Sequence, residues 1–401
     1  MMGLLMVSTI NLSSQPLGFS FKENRRKVEI PFEMYNNLIV VPITLNRIIP
    51  LKFILDTGIR TSILTEKIFG DMLNVPYTRK ISIKGPGSEL VVEASVANNV
   101  TVELPGLIGR GQALLVLEED YLQLDSYLGT EVQGILGYEI FSRFVVEIDY
   151  RSKMLVVYKP DRYKVRRRYT RVPIEIIDTK PYLRATVKID EGHCADAKLM
   201  IDTGASHALM LEDRDDDNIF LPDKRLKTTL GRGLGGEITG HLARVDEVAL
   251  DEFQFNEVIA SYPELSTYLD TLDLEREGTI GGELLNRFRV VFDYGNNYLY
   301  LKKNSDYKKE FEFNMSGIEV NAFGENLKTF KVISVRENSP ASEVGIKVGD
   351  VITKLNGIAS DNLTLNYIHS LFTVRENRKI RMFIKREDEK MKKVFRLRRL
   401  I

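Results

Sequence analysis

Apolar residues along this chain come in short blocks bounded by Gly, Pro and Asn, with little of the three-to-four-residue spacing that marks amphipathic helices. Runs such as Leu38–Leu45, Lys80–Ile83, Val100–Leu104 and Val145–Ile148 have the length and β-branched content of strands. Beyond Lys303 the pattern changes. Ser339-Pro340-Ala341 reads as a helix N-cap with proline in the first turn, and Gly345 closes that short helix. Val351–Leu355 reads as a strand ending in Asn356-Gly357, a strong hairpin signal. Alternation then returns in Ile380–Ile384 and Val394–Leu397. The pattern predicts a mostly β protein with a distinct small unit at its C-terminal end.

The first three quarters of the chain repeat themselves. Leu51-Lys-Phe-Ile-Leu-Asp56-Thr57-Gly58 matches Ala197-Lys-Leu-Met-Ile-Asp202-Thr203-Gly204. Downstream, Ser62-Ile-Leu-Thr-Glu66 parallels Ala208-Leu-Met-Leu-Glu212. Later still, Gly134-Ile-Leu-Gly137-Tyr-Glu139-Ile-Phe-Ser-Arg143-Phe144 recurs as Gly278-Thr-Ile-Gly281-Gly-Glu283-Leu-Leu-Asn-Arg287-Phe288. Both copies run on through an apolar strand to Asp149-Tyr150 or Asp293-Tyr294. A period this long belongs to two homologous lobes rather than a stacked array. The expected organisation is a leader at 1–24, lobe 1 at 25–160, lobe 2 at 161–305 and a third domain at 306–401. All matched elements end before Lys303, which makes the tail look separable from the lobes.

Composition adds exclusions. Lys+Arg and Asp+Glu number 56 each, so no global field exists to hold nucleic acid or an anionic membrane. No segment approaches the roughly 18 apolar residues of a membrane span, and no integral membrane protein is expected. Met1–Ile10 is apolar but carries no basic n-region. It reads equally as the tail of a secretion signal, which would favour a periplasmic or secreted location, or as a structureless leader on a cytoplasmic protein. The one cysteine, Cys194, rules out an internal disulfide framework and reads as a buried structural thiol. The four histidines have no metal-ligand spacing, and no metal or organic cofactor is expected. The basic stretch Arg162–Arg171 reads as a solvated connector, and the acidic run Asp213–Asp217 as a solvated surface without the Gly and Glu of a calcium loop.

Two Asp-Thr-Gly copies, each after an apolar run, place Asp56 and Asp202 where a buried strand breaks into a glycine-permitted turn. If the lobes pair about a pseudo-twofold axis, the two carboxyls meet there and cannot both ionise easily. One then serves as base and the other as acid toward water and a peptide carbonyl. Thr57 and Thr203 are expected to send their hydroxyls across the lobe contact to opposite backbone, beside Gly58 and Gly204. No Gly-x-Ser-x-Gly or His-Glu-x-x-His supplies a rival nucleophile or metal site.

With the later Ile135-Leu136-Gly137 and Thr279-Ile280-Gly281, these motifs resemble the retropepsin-like branch of the aspartic peptidases, while the single-chain duplication is similar to pepsin. The resemblance covers residues from about 25 to 303. It implies a β-rich bilobal fold, a cleft between lobes and glycine-rich flaps, for which Gly85, Gly87, Gly233 and Gly235 are candidates. Gly231–Gly236 also spells G-x-G-x-x-G, but a dinucleotide site needs a strand–helix context that the repeat does not predict. Ile59 departs from the family pattern, which takes a small residue where Ala205 stands, and is followed by Arg60; it could alter the first half-site's pKa or narrow a subsite. Arg143 and Arg287, at matched positions, read as structural salt-bridge partners.

The tail resembles a bacterial-type PDZ domain through Asn338-Ser-Pro-Ala341, Gly345-Ile346, Gly349-Asp-Val-Ile352 and Leu355-Asn-Gly357. The resemblance implies strand addition of a peptide beside a Gly-apolar loop, with Gly317, Ile318, Glu319 and Val320 as the candidate carboxylate loop. The reading is thus a monomeric aspartic endopeptidase whose partners are a polypeptide substrate and a peptide or protein ligand of the PDZ-like domain. The rival reading is a catalytically silent peptide-binding protein that uses the same cleft and domain, with Ile59 as the feature in its favour.

Overall fold

In the computed structural model, residues 17–85, 87, 91–212, 218–264 and 276–401 are described. The Met1–Ile10 leader and the Asp213–Asp217 run lie outside them. The chain is mostly β: two large sheets, a third sheet shared between them, and a C-terminal sheet.

Each lobe builds the same local motif. In lobe 1, Gly134–Leu136 slots between Ile49–Leu55, which it pairs in parallel, and Ile63–Leu64, which it pairs antiparallel. In lobe 2, Gly278–Ile280 does the same between Cys194–Ile201 and Leu209–Leu211. The chain leaves the first strand at the aspartate, turns, and returns one strand-width away, so a later segment must fill the gap. Glycine begins that segment for a steric reason. A Cβ at Gly134 would strike the Ile63 carbonyl and the Phe53 ring, and one at Gly278 the Met210 carbonyl.

The strands after each filler cross to the other lobe. Val145–Asp149 pairs Phe288–Asp293 antiparallel, with Val146 opposite Phe292, and anchors a six-stranded sheet running from Thr170–Pro173 to Lys27–Pro31. Its upper face buries Phe141 against Phe292 (5.3 Å between ring centres) and against Tyr294 (5.6 Å). This shared sheet fuses the lobes into one core.

The tail forms a sheet ordered Ile318–Phe323, Thr329–Val335, Val351–Leu355, Lys379–Arg386, Glu389–Arg396, with a Pro340–Glu343 helix and a Leu365–Phe372 helix. Ser339 caps the first helix in a reciprocal box with Ser342, and Asn356-Gly357 turns with both φ angles positive. Buried Asp350 accepts from the Lys347 amide and takes a two-pronged bond from Arg386.

Three sequence expectations change. Cys194 is exposed, because it opens the Cys194–Ile201 strand opposite Lys188, before the strand enters the core. Arg287 donates from its two terminal nitrogens to the carbonyls of Asp306, Lys309 and Glu310 and lies 3.6 Å over the Phe311 ring, while Arg143 packs its guanidinium on Gly18. Neither makes an ion pair among the described residues; at Arg287, carbonyls and a ring face take that place. The tail is also not free of the lobes: Tyr307 packs on Phe253, Phe255 and Phe288, and Phe311 on Phe255. Because Phe311 is 3% exposed, Phe311→Ala should cost about 3–5 kcal/mol. Urea unfolding measures this, and an unchanged midpoint would mean the connecting segment carries no packing.

Candidate active site

Each filler strand presents a carbonyl to the turn above it. The Asp56 amide donates to the Leu136 carbonyl (2.9 Å) and the Asp202 amide to the Ile280 carbonyl (2.9 Å). Each aspartate then accepts from the amide two residues on, Gly58 to Asp56 Oδ1 (2.5 Å) and Gly204 to Asp202 Oδ1 (2.8 Å). These bonds fix each carboxyl's rotation.

The two turns face each other. The Thr57 hydroxyl donates to the Ile201 carbonyl (2.7 Å) and the Thr203 hydroxyl to the Leu55 carbonyl (2.8 Å). Each hydroxyl also accepts from the opposite threonine's amide, Thr57 Oγ1 at 3.0 Å and Thr203 Oγ1 at 3.2 Å. All four bonds are buried and cross between lobes. They draw the chains so close that a Cβ on Gly58 would lie 2.9 Å from Asp202 Oδ2, and one on Gly204 would enter the Asp56 carboxyl. Only glycine leaves room for the second carboxyl.

Burial raises the Asp56 pKa well above the ordinary aspartate range, and the Asp202 charge raises it further. Burial raises Asp202 too, opposed by the Gly204 amide and by its hydrogen bond with Asp56. The pair therefore retains one shared proton at a pH where isolated aspartates hold none. Tyr294 lies within the field of both carboxyls; its hydroxyl is buried without a hydrogen-bond partner, and burial drives its pKa up. The Asp-Tyr pair repeated in both lobes is the sequence signal that marked this position.

Ile59 packs against the loop that follows its own lobe's filler strand. Its side chain covers Gly137, where a Cβ would collide with it, and it joins the apolar cluster around Leu38, Val40 and Ile135. Its amide also helps hold Asp56 in the ionised form.

The flap candidates form two hairpin tips. Tyr77–Ile83 pairs with Val92–Leu104, and Arg225–Gly233 with Gly236–Leu250. Gly87 bridges Gly235, and Gly85 lies against Leu234, so the tips join across the lobes, while Gly233 closes the second hairpin opposite Gly236. Arg232 adds a bond to the Tyr121 carbonyl of lobe 1 (2.9 Å). The G-x-G-x-x-G stretch thus joins two antiparallel strands and opens no helix, which removes the geometry a dinucleotide needs.

In the tail, the stretch from Gly317 to Val320 is not an open cradle. Ile318–Phe323 is an edge strand, Ile318 is fully buried, and a Cβ on Gly317 would strike Ser339. The nearby amides are taken internally: Met315 by the Phe372 carbonyl, Ser316 by Asn314 Oδ1 and Ile318 by the Ser316 hydroxyl. Beside this edge lies the Leu124–Leu128 helix of lobe 1, whose following Gly129 touches both Leu365 and Ala322. A crevice of about 1480 Å³ continues from there past Glu319, Phe323 and Asn366 to Thr229 and Arg232 of the second hairpin.

The sequence profile of the aspartyl protease family matches residues 41–140 and 185–302, more than half of the chain and one segment in each lobe. The chain belongs to the aspartyl protease family. A PDZ domain profile matches residues 331–386 of the tail. No curated protein matches the chain. The lobes of this family member and its PDZ domain support a proteolytic or peptide-binding role.

Two outcomes follow from this geometry. Thr203→Val keeps the shape but strands the buried Thr57 amide and Leu55 carbonyl, and should cost about 1–3 kcal/mol per orphaned group. Thermal or urea unfolding checks it. The second concerns pH. Burial lifts Asp125 to about 6, and Glu283 and Glu319 to about 7, alongside the raised aspartate pair. Each of these groups binds its proton more tightly when folded, so its stabilisation is complete below the unfolded value near 4 and is lost as pH rises through the folded value. Buried His207, lowered to about 4, and His369, also lowered, work the other way below the ordinary histidine value, but the five raised carboxyls outnumber them. Stability should therefore increase on acidification from pH 7 toward 5, and a midpoint that falls over that window would contradict it.

Proposed function

We propose that the chain is an active aspartic endopeptidase in which Asp56 and Asp202 act as one unit on water and a peptide carbonyl. The observation that carries this reading is the mutual approach of two buried carboxyls, each oriented by its own amide bond and set at a fixed separation by the crossed threonines. The carboxylate form takes a proton from water as it attacks, and the carboxylic acid form donates to the carbonyl oxygen. This chemistry calls on no cofactor. Both half-sites belong to one chain, so activity per mole is independent of enzyme concentration. The joined glycine hairpins supply the cover that an extended substrate needs to be held and dried during attack.

The packing of Ile59 over Gly137 in lobe 1 speaks for the active reading over the silent-binder one. In this reading the PDZ domain contributes peptide recognition through the edge strand Ile318–Phe323 and the crevice beside it. No helix among the described residues is long and apolar enough to cross a membrane.

Asp56→Asn and Asp202→Asn should each lower turnover of a peptide library by several orders of magnitude while leaving the fold intact. The wild-type rate should follow a bell in pH. Activity is lost at low pH as the base of the pair protonates, and at high pH as the shared proton leaves. Because both groups are raised by burial, the high-pH limb lies above the range of an ordinary aspartate. A folded Asn variant that cuts peptides at the wild-type rate would place the chemistry elsewhere.

A further inference from the structure

The two catalytic turns are held by different means. Lobe 1 pins its own turn: the Ser62 amide and hydroxyl both donate to the Glu139 carboxylate, at 3.0 and 2.9 Å, and the same hydroxyl accepts from the Gly137 amide (3.2 Å). One serine thus ties the segment after Asp56 to the segment after the filler strand. In lobe 2 the matching residues are Ala208 and Glu283. Alanine has no hydroxyl, so no side-chain pin forms. Within lobe 2 the two segments are joined by backbone alone, Gly281 amide to the Ala208 carbonyl (3.1 Å), Glu283 amide to the His207 carbonyl (3.2 Å) and Gly282 amide to the Ala205 carbonyl (2.7 Å).

The side-chain tie comes instead from Asn37, a lobe 1 residue. Its side-chain Nδ2 donates to the Ser206 carbonyl (2.9 Å), four residues beyond Asp202. Its Oδ1 accepts from Asn286 Nδ2 (2.9 Å). Its own carbonyl lies against Gly282, where a Cβ would collide with it, and the Gly282 amide donates to Ala205 (2.7 Å). Asn37 therefore joins the segment after Asp202 to the segment after Ile280, the same two segments that Ser62 joins in lobe 1.

Asn36 and Asn37 form the tip of the hairpin between Glu33–Tyr35 and Leu38–Leu45, with φ angles of 45° and 66°. The tip is braced from the PDZ side. Asn366, on the Leu365–Phe372 helix, accepts from the Asn36 amide (3.1 Å) and donates to the Met34 carbonyl (2.9 Å). Asn36 Nδ2 also donates to the Tyr127 hydroxyl (2.9 Å). The lobe 2 hairpin reaches back symmetrically, with Asp178 paired to Arg60 at 3.2 Å, but that ion pair is solvated and contributes little. Only the contact onto lobe 2 is both multiply bonded and backed by a third domain.

We propose that the Asn36–Asn37 hairpin, braced by Asn366 of the PDZ domain, positions the catalytic turn that carries Asp202, with Asn37 as the positioning residue. This rests on the Asp56/Asp202 reading above. It makes the PDZ domain part of the peptidase's rigid frame: loss of the brace loosens one aspartate of the pair, not the substrate contacts.

The test uses the full chain and the best-cleaved peptide from a mixed library. Asn37→Gly accepts the positive φ and removes the amide, Asn37→Asp keeps the size but can no longer donate to Ser206, and Asn366→Ala removes the brace alone. Misplacing the reacting group should lower kcat roughly ten- to hundredfold with KM little changed. The bell-shaped pH profile should also shift, because the coupling of the two carboxyls depends on their separation. A purely structural role would lower the unfolding midpoint and leave kcat per folded molecule and the profile as in wild type, and that result overturns the proposal. So does a rise in KM at unchanged kcat. If both Asn37 variants lose kcat while Asn366→Ala keeps it, the PDZ brace is wrong. Asp202→Asn in the same series separates the two levels: cleavage that survives it counts against the functional reading, whereas its loss with full activity in all three asparagine variants counts against this inference alone.

Discussion

Two like-charged groups held in contact away from water make an arrangement that the rest of the molecule must oppose. Everything near the pseudo-twofold axis serves that end. The Gly58 and Gly204 amides orient the carboxyls, the crossed Thr57 and Thr203 hydroxyls set their separation, and the shared six-stranded sheet beneath keeps the lobes from relaxing apart. The electrostatic cost is reduced by retaining a proton, and the Arg276 and Lys180 charges ease it further at Asp202. That is why the pair's pKa values rise and, in the proposed function, why an acid and a base can come from identical side chains.

Much of this was legible in the sequence because it is written twice. Chemistry confined to one copy is ambiguous, but Asp56-Thr57-Gly58 and Asp202-Thr203-Gly204 with their distant Gly134 and Gly278 partners encode an interlocking motif whose sterics admit few other residues. The tail was legible through its punctuation, since Ser339-Pro340 and Asn356-Gly357 fix local backbone regardless of context. What escaped were contacts that join segments far apart. Cys194 looked buried because it precedes an apolar run, yet strand alternation begins at the exposed end. Gly317 looked like a loop for a carboxylate because Gly followed by apolar residues fits one, but Asn314 and Ser316 use those amides locally. Arg287 looked like an ion-pair residue, whereas the chain after residue 304 supplies carbonyls that no local pattern announces.

The same limit hid Asn37. An Asn-Asn pair between two strands predicts a tight turn and nothing more, because both residues tolerate positive φ. Its second role emerges only when the hairpin tip is placed against Ser206 and Asn286, residues 169 and 249 positions away. The signal that was present lay in the mismatch between the copies: serine in lobe 1 and alanine in lobe 2 at a position otherwise aligned. In a duplicated fold, a polar pin missing from one copy is a question about what replaced it.

That asymmetry bears on why the third domain is fixed to the lobes. Here the tail is packed through Tyr307 and Phe311 and hydrogen-bonded through Asn366. The helix of lobe 1 that ends at Gly129 lies along the very edge strand where an added peptide strand would pair. A peptide that pairs along the whole edge must therefore compete with a lobe 1 element, and that element leads directly into the Gly134–Leu136 strand under Asp56. The PDZ domain thus meets lobe 1 at two places, the asparagine hairpin and the Leu124–Leu128 helix. A contact of this kind is costly to maintain if recognition and cleavage are independent, and it is the expected arrangement if occupancy of the edge strand is to be felt at the carboxyl pair.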